Sequence, residues 1–388
     1  MYNIRLYDNL ADAGRRIFNE NKYNISDTGD RPDAIMVHST PLHNIDLNPE
    51  LKSIVRIGAG VNTIPVDKCT EKGICVFNCP GGNANAVKEL TLAALVMTMR
   101  NGVAAMNWVK SLPGDESDAG KTVEKGKEVF KGPEIMGKTI GIIGVGAIGS
   151  RMARTCDDLG MKVYGYDPFL SHSRVQELRQ YAEFVDNVDE LLEKSDIVTV
   201  HIPLDENNKD FIDKAAIAKM KDGVYLVNYA RGPIVNDEAV LEALDSGKIK
   251  AYITDFPTTG QMKHDNVFFT PHLGAGTPEA DENCAVMAAK QTIDYIENGN
   301  ITNSVNLPDV SFARADGARI TVIHENKVGM LGLMTEKIAA AGLNIENLVN
   351  KARGPIAYTM FDFNDEVPMD IAGKLSDIDG VIRVRVIE

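Results

Sequence analysis

Residues 138–167 hold the densest chemical signal in the sequence. Lys138-Thr139-Ile140-Gly141-Ile142-Ile143 runs straight into Gly144-Val145-Gly146-Ala147-Ile148-Gly149, then into a helix-compatible stretch that ends near Leu159-Gly160. A G-x-G-x-x-G run between an apolar strand and a helix suits a dinucleotide pyrophosphate. Gly144 permits the tight turn, Gly146 lets the backbone approach the phosphates, and Gly149 lets helix and strand pack closely. Amides at the helix start then face the anion, aided by the helix dipole. The following strand, residues 163–166, ends in Asp167. A carboxylate there accepts hydrogen bonds from the adenosine ribose hydroxyls and repels a 2′-phosphate, so NAD is expected rather than NADP. The bland alternative is a tight glycine turn with no ligand, and the full strand-turn-helix-strand-Asp pattern outweighs it.

Open α/β sheets bind ligands beyond the carboxyl ends of their strands, which singles out charged residues just past the later strands. Arg231, in Asn228-Tyr229-Ala230-Arg231-Gly232, offers a planar fork for a substrate carboxylate. His272, in Thr270-Pro271-His272-Leu273-Gly274, carries an imidazole able to take a hydroxyl proton as hydride leaves for a nicotinamide. Taken singly, a surface salt bridge explains Arg231 equally well, and a buried, hydrogen-bonded core histidine explains His272.

These residues need a layered scaffold, and the chain supplies its pattern. Apolar runs at 4–7, 34–37, 54–56 and 74–77 alternate with helix-compatible stretches, the signature of a βα domain. A helix over 83–100 follows Pro80-Gly81-Gly82, with Asn83 or Asn85 as cap. After the charged, glycine-rich stretch 111–132 the alternation restarts, with strands expected at 139–143, 162–166, 197–201, 225–228, 252–254 and 267–270. Short strands separated by helices indicate a parallel, doubly wound sheet. A helix over 279–297 stops at Asn298-Gly299-Asn300, and a linker around 306–317 opens a last unit. There the order is strand 319–324, helix 329–341, strands 346–351 and 356–363, helix 369–376 and strand 381–387, a ferredoxin-like βαββαβ motif.

Composition narrows the function. With 44% hydrophobic and 25% charged residues the 388-residue chain is globular and long enough for two or three cores. A formal net charge of −14 without a basic stripe excludes nucleic acid as a partner. No run approaches the roughly 20 apolar residues that span a bilayer, and residues 1–9 lack a signal peptide's basic start and apolar core, so no membrane partner and a cytoplasmic location are expected. Cys69, Cys75, Cys79, Cys156 and Cys284 are odd in number and lack C-x-x-C spacing. They suit free thiols in a reducing compartment, and no metal is expected.

Several blocks in order resemble the D-isomer-specific 2-hydroxyacid dehydrogenases. The blocks are Arg56-Ile57-Gly58-Ala59-Gly60-Val61-Asn62, Gly81-Gly82-Asn83-Ala84-Asn85-Ala86-Val87-Lys88-Glu89, the glycine run, Tyr229-Ala230-Arg231-Gly232 and Thr270-Pro271-His272-Leu273-Gly274-Ala275. Within the family, the likeness is to the branch that oxidises 3-phosphoglycerate to 3-phosphohydroxypyruvate with NAD, the first step of serine biosynthesis. The resemblance implies two doubly wound domains of Rossmann or flavodoxin type: a substrate-binding one (1–100 and 282–308) and an NAD-binding one (101–281). It assigns Arg231 to the carboxylate and His272 to acid/base work. It further implies cofactor contacts at Gly144, Gly146, Ala147, Ile148, Gly149, Asp167, Pro168, His201, Ile202, Pro203, Tyr229, Ala230, Asp255, His272 and Gly274. Substrate contacts fall on Arg56, Gly58, Ala59, Gly60, Asn83, His38 and Ser39.

The sequence departs from the family at two points. The glutamate expected to pair with the histidine falls at Thr259, after Asp255-Phe256-Pro257-Thr258. A hydroxyl orients an imidazole but stabilises its charged form little, which predicts a displaced pH–rate profile. His38 stands where an arginine for the substrate phosphate is usual, and a neutral imidazole holds phosphate less well than a guanidinium fork.

The last unit (317–388) resembles an ACT module, with His324, Asn326 and Asn344 on positions that bind serine in related dehydrogenases. Feedback by a serine effector is implied, the alternative being a module used only for assembly. A homodimer or homotetramer is implied as well. Two rivals stay open. One is another D-2-hydroxy acid dehydrogenase, acting on hydroxypyruvate, glyoxylate or 2-oxoglutarate, which His38 and Thr259 keep in play. The other is a low-turnover dinucleotide-sensing binding protein, which the missing glutamate favours and the retained Arg231 and His272 oppose.

Overall fold

A computed structural model of the chain describes residues 1–112 and 119–388, so part of the charged stretch 111–132 lies outside the described residues. The fold divides into two compact units, Met1–Asn83 with Pro278–Glu388, and Ala84–Thr277.

The first unit opens with five short strands, β1 (Tyr2–Leu6), β2 (Tyr23–Ser26), β3 (Ala34–Val37), β4 (Ser53–Arg56) and β5 (Cys75–Phe77). They pair in parallel in the order β2-β1-β3-β4-β5. β3 is buried at all four positions, as a central parallel strand covered on both faces must be, which is why its sequence runs apolar without alternation. The helix Pro278–Asn298 returns to this unit and buries Cys284, Ala285, Ala288, Ala289 and Tyr295 in its core. Small residues let it lie close: a Cβ on Gly14 would stand 2.7 Å from Ala285.

The second unit carries seven parallel strands, β6 (Thr139–Ile143), β7 (Lys162–Tyr166), β8 (Glu183–Phe184), β9 (Ile197–Val200), β10 (Val224–Asn228), β11 (Ile249–Thr254) and β12 (Val267–Phe269). Their order is β12-β11-β10-β9-β6-β7-β8, so the direction of winding reverses between β6 and β9. The two-residue β8 escaped the apolar pattern because it is too short to show one. Helix Ala84–Met99 groups with this unit, packing against helix Ala147–Asp158 and β11 through Val87, Leu95 and Met99. The two compact units meet in sequence between Asn83 and Ala84, at the start of this helix. Asn85 sits inside that helix and donates to Glu89 at 2.8 Å, so it is not the cap. Beyond it, the described residues form helices Gly102–Ser111 and Ala119–Gly126 and a 3-10 turn Lys127–Phe130.

Four further strands, β13 (Arg319–Glu325), β14 (Asn347–Arg353), β15 (Ile356–Asp362) and β16 (Val381–Ile387), form an antiparallel sheet in the order β14-β15-β13-β16. Alternation sends Ile320, Val322 and Phe361 to helices Met330–Ala340 and Ile371–Ser376 on one face. Ile323, Tyr358 and Met360 enter the core of the β1–β5 sheet, beside Phe77, Tyr295 and Ile301.

The C-terminal sheet is thus part of the first unit. The segment expected to link them is anchored: Leu307 and Val310 are buried, and Asn306 donates to the Ile74 carbonyl at 2.9 Å. Arginines complete the attachment. Arg319 pairs with Asp362, both fully buried, and donates to the Asn298 carbonyl at 2.8 Å. Arg383 donates to the carbonyls of Leu51 and Pro49, and Arg385 to those of Tyr295 and Ile296.

Candidate active site

The glycine turn sits where the winding of the seven-stranded sheet reverses, the place where such sheets bind ligands. Gly144 has φ +87°, and a Cβ there would stand 2.7 Å from the His201 carbonyl oxygen. A Cβ on Gly149 would run into the Gly144 carbonyl, so helix Ala147–Asp158 approaches β6 as closely as backbone allows. Gly146, by contrast, faces open space, and no side chain caps the helix start behind it. Asp167 follows β7. One oxygen accepts the Val145 N–H at 2.9 Å and the other the Phe169 N–H at 3.0 Å, tying it to the glycine turn while it stays half-exposed. Open space over uncapped helix amides beside an acceptor carboxylate fits an NAD pyrophosphate and ribose.

His201 leaves β9 on the same edge. Its Nε2 lies 3.0 Å from the Thr199 hydroxyl, its Nδ1 is buried without a protein partner among the described residues, and burial pulls it down to about 4. It is a neutral imidazole at pH 7. Ile202 is half-buried, and Pro203 and Pro168 are exposed.

Three adjacent strands, β10, β11 and β12, deliver Arg231, Asp255 and His272 to the carboxyl edge. Asn228, fully buried, shapes the Arg231 turn: its amide donates to the Arg231 carbonyl at 2.9 Å and its oxygen accepts the Ala230 N–H at 3.1 Å. Arg231 donates to the Ala230 carbonyl at 2.7 Å and forms no ion pair among the described residues, so its fork is available to a carboxylate. Burial lowers its pKa, yet a guanidinium stays charged at neutral pH.

Asp255 is buried and its carboxylate is spent on the next turn. One oxygen accepts from the Thr270 hydroxyl and the Leu273 N–H, the other from the Gly274 N–H at 2.7 Å. The Asp255 and Thr270 carbonyls accept the His272 N–H. Those bonds hold His272 at φ +55°, a left-handed conformation that costs a non-glycine residue about 1 kcal/mol or more and that clusters at functional sites. The His272 side chain is exposed, its ring 4.8 Å from that of Phe256. Thr259 is exposed, and no hydrogen bond joins it to His272 among the described residues; the neighbour of the imidazole is Phe256. Tyr229, buried, meets the Thr270 hydroxyl at 3.2 Å.

The first unit presents its own edge. Arg56 ends β4, donates to the Ile57 carbonyl at 3.1 Å and covers Gly58, where a Cβ would collide with the guanidinium. Asn78 donates to the Ala59 carbonyl at 2.6 Å and the Cys79 N–H to Gly58, fixing the 58–60 turn. Asn83 is half-buried. His38 and Ser39 follow β3, with His38 Nδ1 2.7 Å from the Ser39 hydroxyl. In the C-terminal sheet, His324 is buried, its Nδ1 against the Glu325 carbonyl at 2.7 Å and its Nε2 against the Thr359 hydroxyl at 2.8 Å. Both of its ring nitrogens are engaged within the protein. Asn326 donates to the Gly354 carbonyl at 3.2 Å, and Asn344 is exposed.

Asn228 and Phe256 shape the site without standing out in the sequence as chemical groups. A polar residue closing an apolar strand just before Arg231 was the available signal for Asn228. Nothing in the sequence marks Phe256 as the ring against His272.

A family model described as "D-isomer specific 2-hydroxyacid dehydrogenase, NAD binding domain" matches residues 92–274. The chain belongs to the D-isomer-specific 2-hydroxyacid dehydrogenase family and is an NAD-dependent dehydrogenase. It is 32% identical over 360 residues to D-3-phosphoglycerate dehydrogenase of Haemophilus influenzae, covering 88% of this chain and 83% of the relative. It is 32% identical over 366 residues to the Escherichia coli enzyme of that name, covering 87% and 82%. The NAD+-bound 3-phosphoglycerate dehydrogenase of Entamoeba histolytica superposes with a TM-score of 0.62 at 26% identity, over 79% of this chain and 98% of that one. D-mandelate dehydrogenase of Rhodotorula graminis, TM-score 0.67 at 21% identity over 80% and 99%, shares the fold. No helix among the described residues is long and apolar enough to cross a membrane.

Proposed function

We propose that the chain oxidises 3-phosphoglycerate to 3-phosphohydroxypyruvate in the cytoplasm. The Gly144–Gly149 turn and Asp167 would hold NAD, which would supply the hydride acceptor for C2 of the hydroxy acid. Arg231 holds the substrate carboxylate through its guanidinium fork and orients C2, and His272 takes the C2 hydroxyl proton. The observation that carries this reading is the His272 turn: a strained, exposed imidazole on a turn held by a buried aspartate. Arg56, with Gly58, Ala59, Gly60, Asn83, His38 and Ser39, is assigned to the rest of the substrate, and the relatives' shared name supports a phosphorylated one. NADH consumption with 3-phosphohydroxypyruvate, hydroxypyruvate, glyoxylate and 2-oxoglutarate tests the assignment. A higher kcat/KM for any unphosphorylated acid overturns it.

The βαββαβ order and the strand order β14-β15-β13-β16 support a ferredoxin-like module of ACT type in the C-terminal sheet. We assign it a serine-sensing and assembly role in a homodimer or homotetramer. Serine contact at His324 requires that ring to release Thr359, whereas Asn326 and Asn344 are within reach of solvent. Equilibrium dialysis with labelled serine decides: no binding and unchanged kinetics leave assembly alone.

A further inference from the structure

At the carboxyl edge of the β1–β5 sheet, strands β1 and β3 lie side by side, and the residues that leave them are joined by one carboxylate. Asp8 Oδ2 accepts three successive backbone N–H groups, from His38 at 2.7 Å, Ser39 at 2.9 Å and Thr40 at 3.1 Å. Its Oδ1 accepts the Thr40 hydroxyl at 2.8 Å. Consecutive amides that converge on one point make an anion cradle, and here the protein fills it with its own charge. A substrate anion is denied those amides and meets a fixed negative charge behind them. What the turn offers outward is side chains: His38, whose Nδ1 is engaged by the Ser39 hydroxyl and whose Nε2 has no partner among the described residues, and Ser39, which is exposed.

We propose that Asp8 is the positioning residue of the acid-substrate end, shaping the turn 38–40 so that the His38 and Ser39 side chains, and not the turn's amides, meet the substrate's distal group. The proposal rests on the assignment of His38 and Ser39 to the substrate made above. Asp8 is ionised at working pH. Burial pushes its carboxyl up, but the hydrogen bonds from Thr40, Ser39 and His38 together outweigh that and hold it below the usual carboxylate range.

The test uses the full chain with Asp8→Ala and Asp8→Asn, assayed with NADH against 3-phosphohydroxypyruvate and hydroxypyruvate. Asp8→Ala is expected to raise the KM for the acid about tenfold while kcat and the KM for NADH stay within about twofold. Asp8→Asn keeps an oxygen for the amides and should return the KM to within about threefold of the parent. An unchanged acid KM in Asp8→Ala overturns the proposal, as does a KM for NADH that rises in parallel with it, which marks general loss of structure. If the parent chain turns over hydroxypyruvate but not the phosphorylated acid, the substrate assignment fails, and the Asp8 comparison is read on hydroxypyruvate.

Discussion

Arg231 and His272 depend on their surroundings in different ways. The guanidinium needs only to be unpaired and aimed, which the Asn228 turn provides. Its planar fork matches a carboxylate in a way an ammonium does not. Arg231→Lys is therefore expected to lower kcat/KM for the acid by about a hundredfold or more, with NADH affinity measured by fluorescence titration unchanged. On the proposed mechanism the imidazole needs stabilisation when it carries the proton, and position 259, where the resemblance implies a glutamate, holds Thr259. Introducing a carboxylate with Thr259→Glu should favour the protonated ring and move the pH–rate profile for hydroxy acid oxidation to higher pH. An identical profile would show that position 259 does not reach His272. Both candidates stand out in the sequence because each sits in a short local motif. Phe256 was not, because its contact with His272 joins two turns sixteen residues apart.

At the scale of elements, the carboxyl ends of β6, β7, β9, β10, β11 and β12 all deliver side chains to one edge, and burial there has a pH signature. His201 titrates near 6.5 in an unfolded chain and near 4 when folded, since burial excludes its charged form. Between those values the unfolded chain binds a proton that the folded one refuses. Its contribution is complete above pH 6.5 and is lost as pH falls towards 4, by an amount on the order of 3 kcal/mol at most. Urea unfolding at pH 7.5 and 4.5 should show His201→Gln losing less stability over that interval than the parent chain; equal losses would refute the assignment. The strands themselves were visible as apolar runs to within a few residues. Asp255 was legible as a residue, but its role in holding the His272 turn was not, since only the fold brings the Leu273 and Gly274 amides to its oxygens.

At the scale of the whole molecule, the C-terminal sheet and the β1–β5 sheet share one core. Ending the chain at residue 316 would strip Ile323, Tyr358 and Met360 from Phe77 and Tyr295, so residues 1–316 are expected to aggregate on expression; a soluble product with a cooperative melt would argue against a shared core. Asp362→Ala leaves the Arg319 charge buried without its partner and should cost roughly 3–5 kcal/mol, read as a lower urea midpoint. A sequence pattern could assign these strands but not what covers their second face, because period-2 alternation marks a face as apolar without naming its neighbour. The same limit runs through the molecule. Short-range order alone determined the parallel strands, the glycine turn with Asp167, and the motifs of Arg231 and His272, since each is written within about thirty residues. Tertiary structure alone decided that Asp8 holds the His38 turn, that His324 is spent on Thr359, and that the last sheet is built into the first unit. Those outcomes depend on partners 30 or more residues away, whose approach is set by packing and not by local pattern.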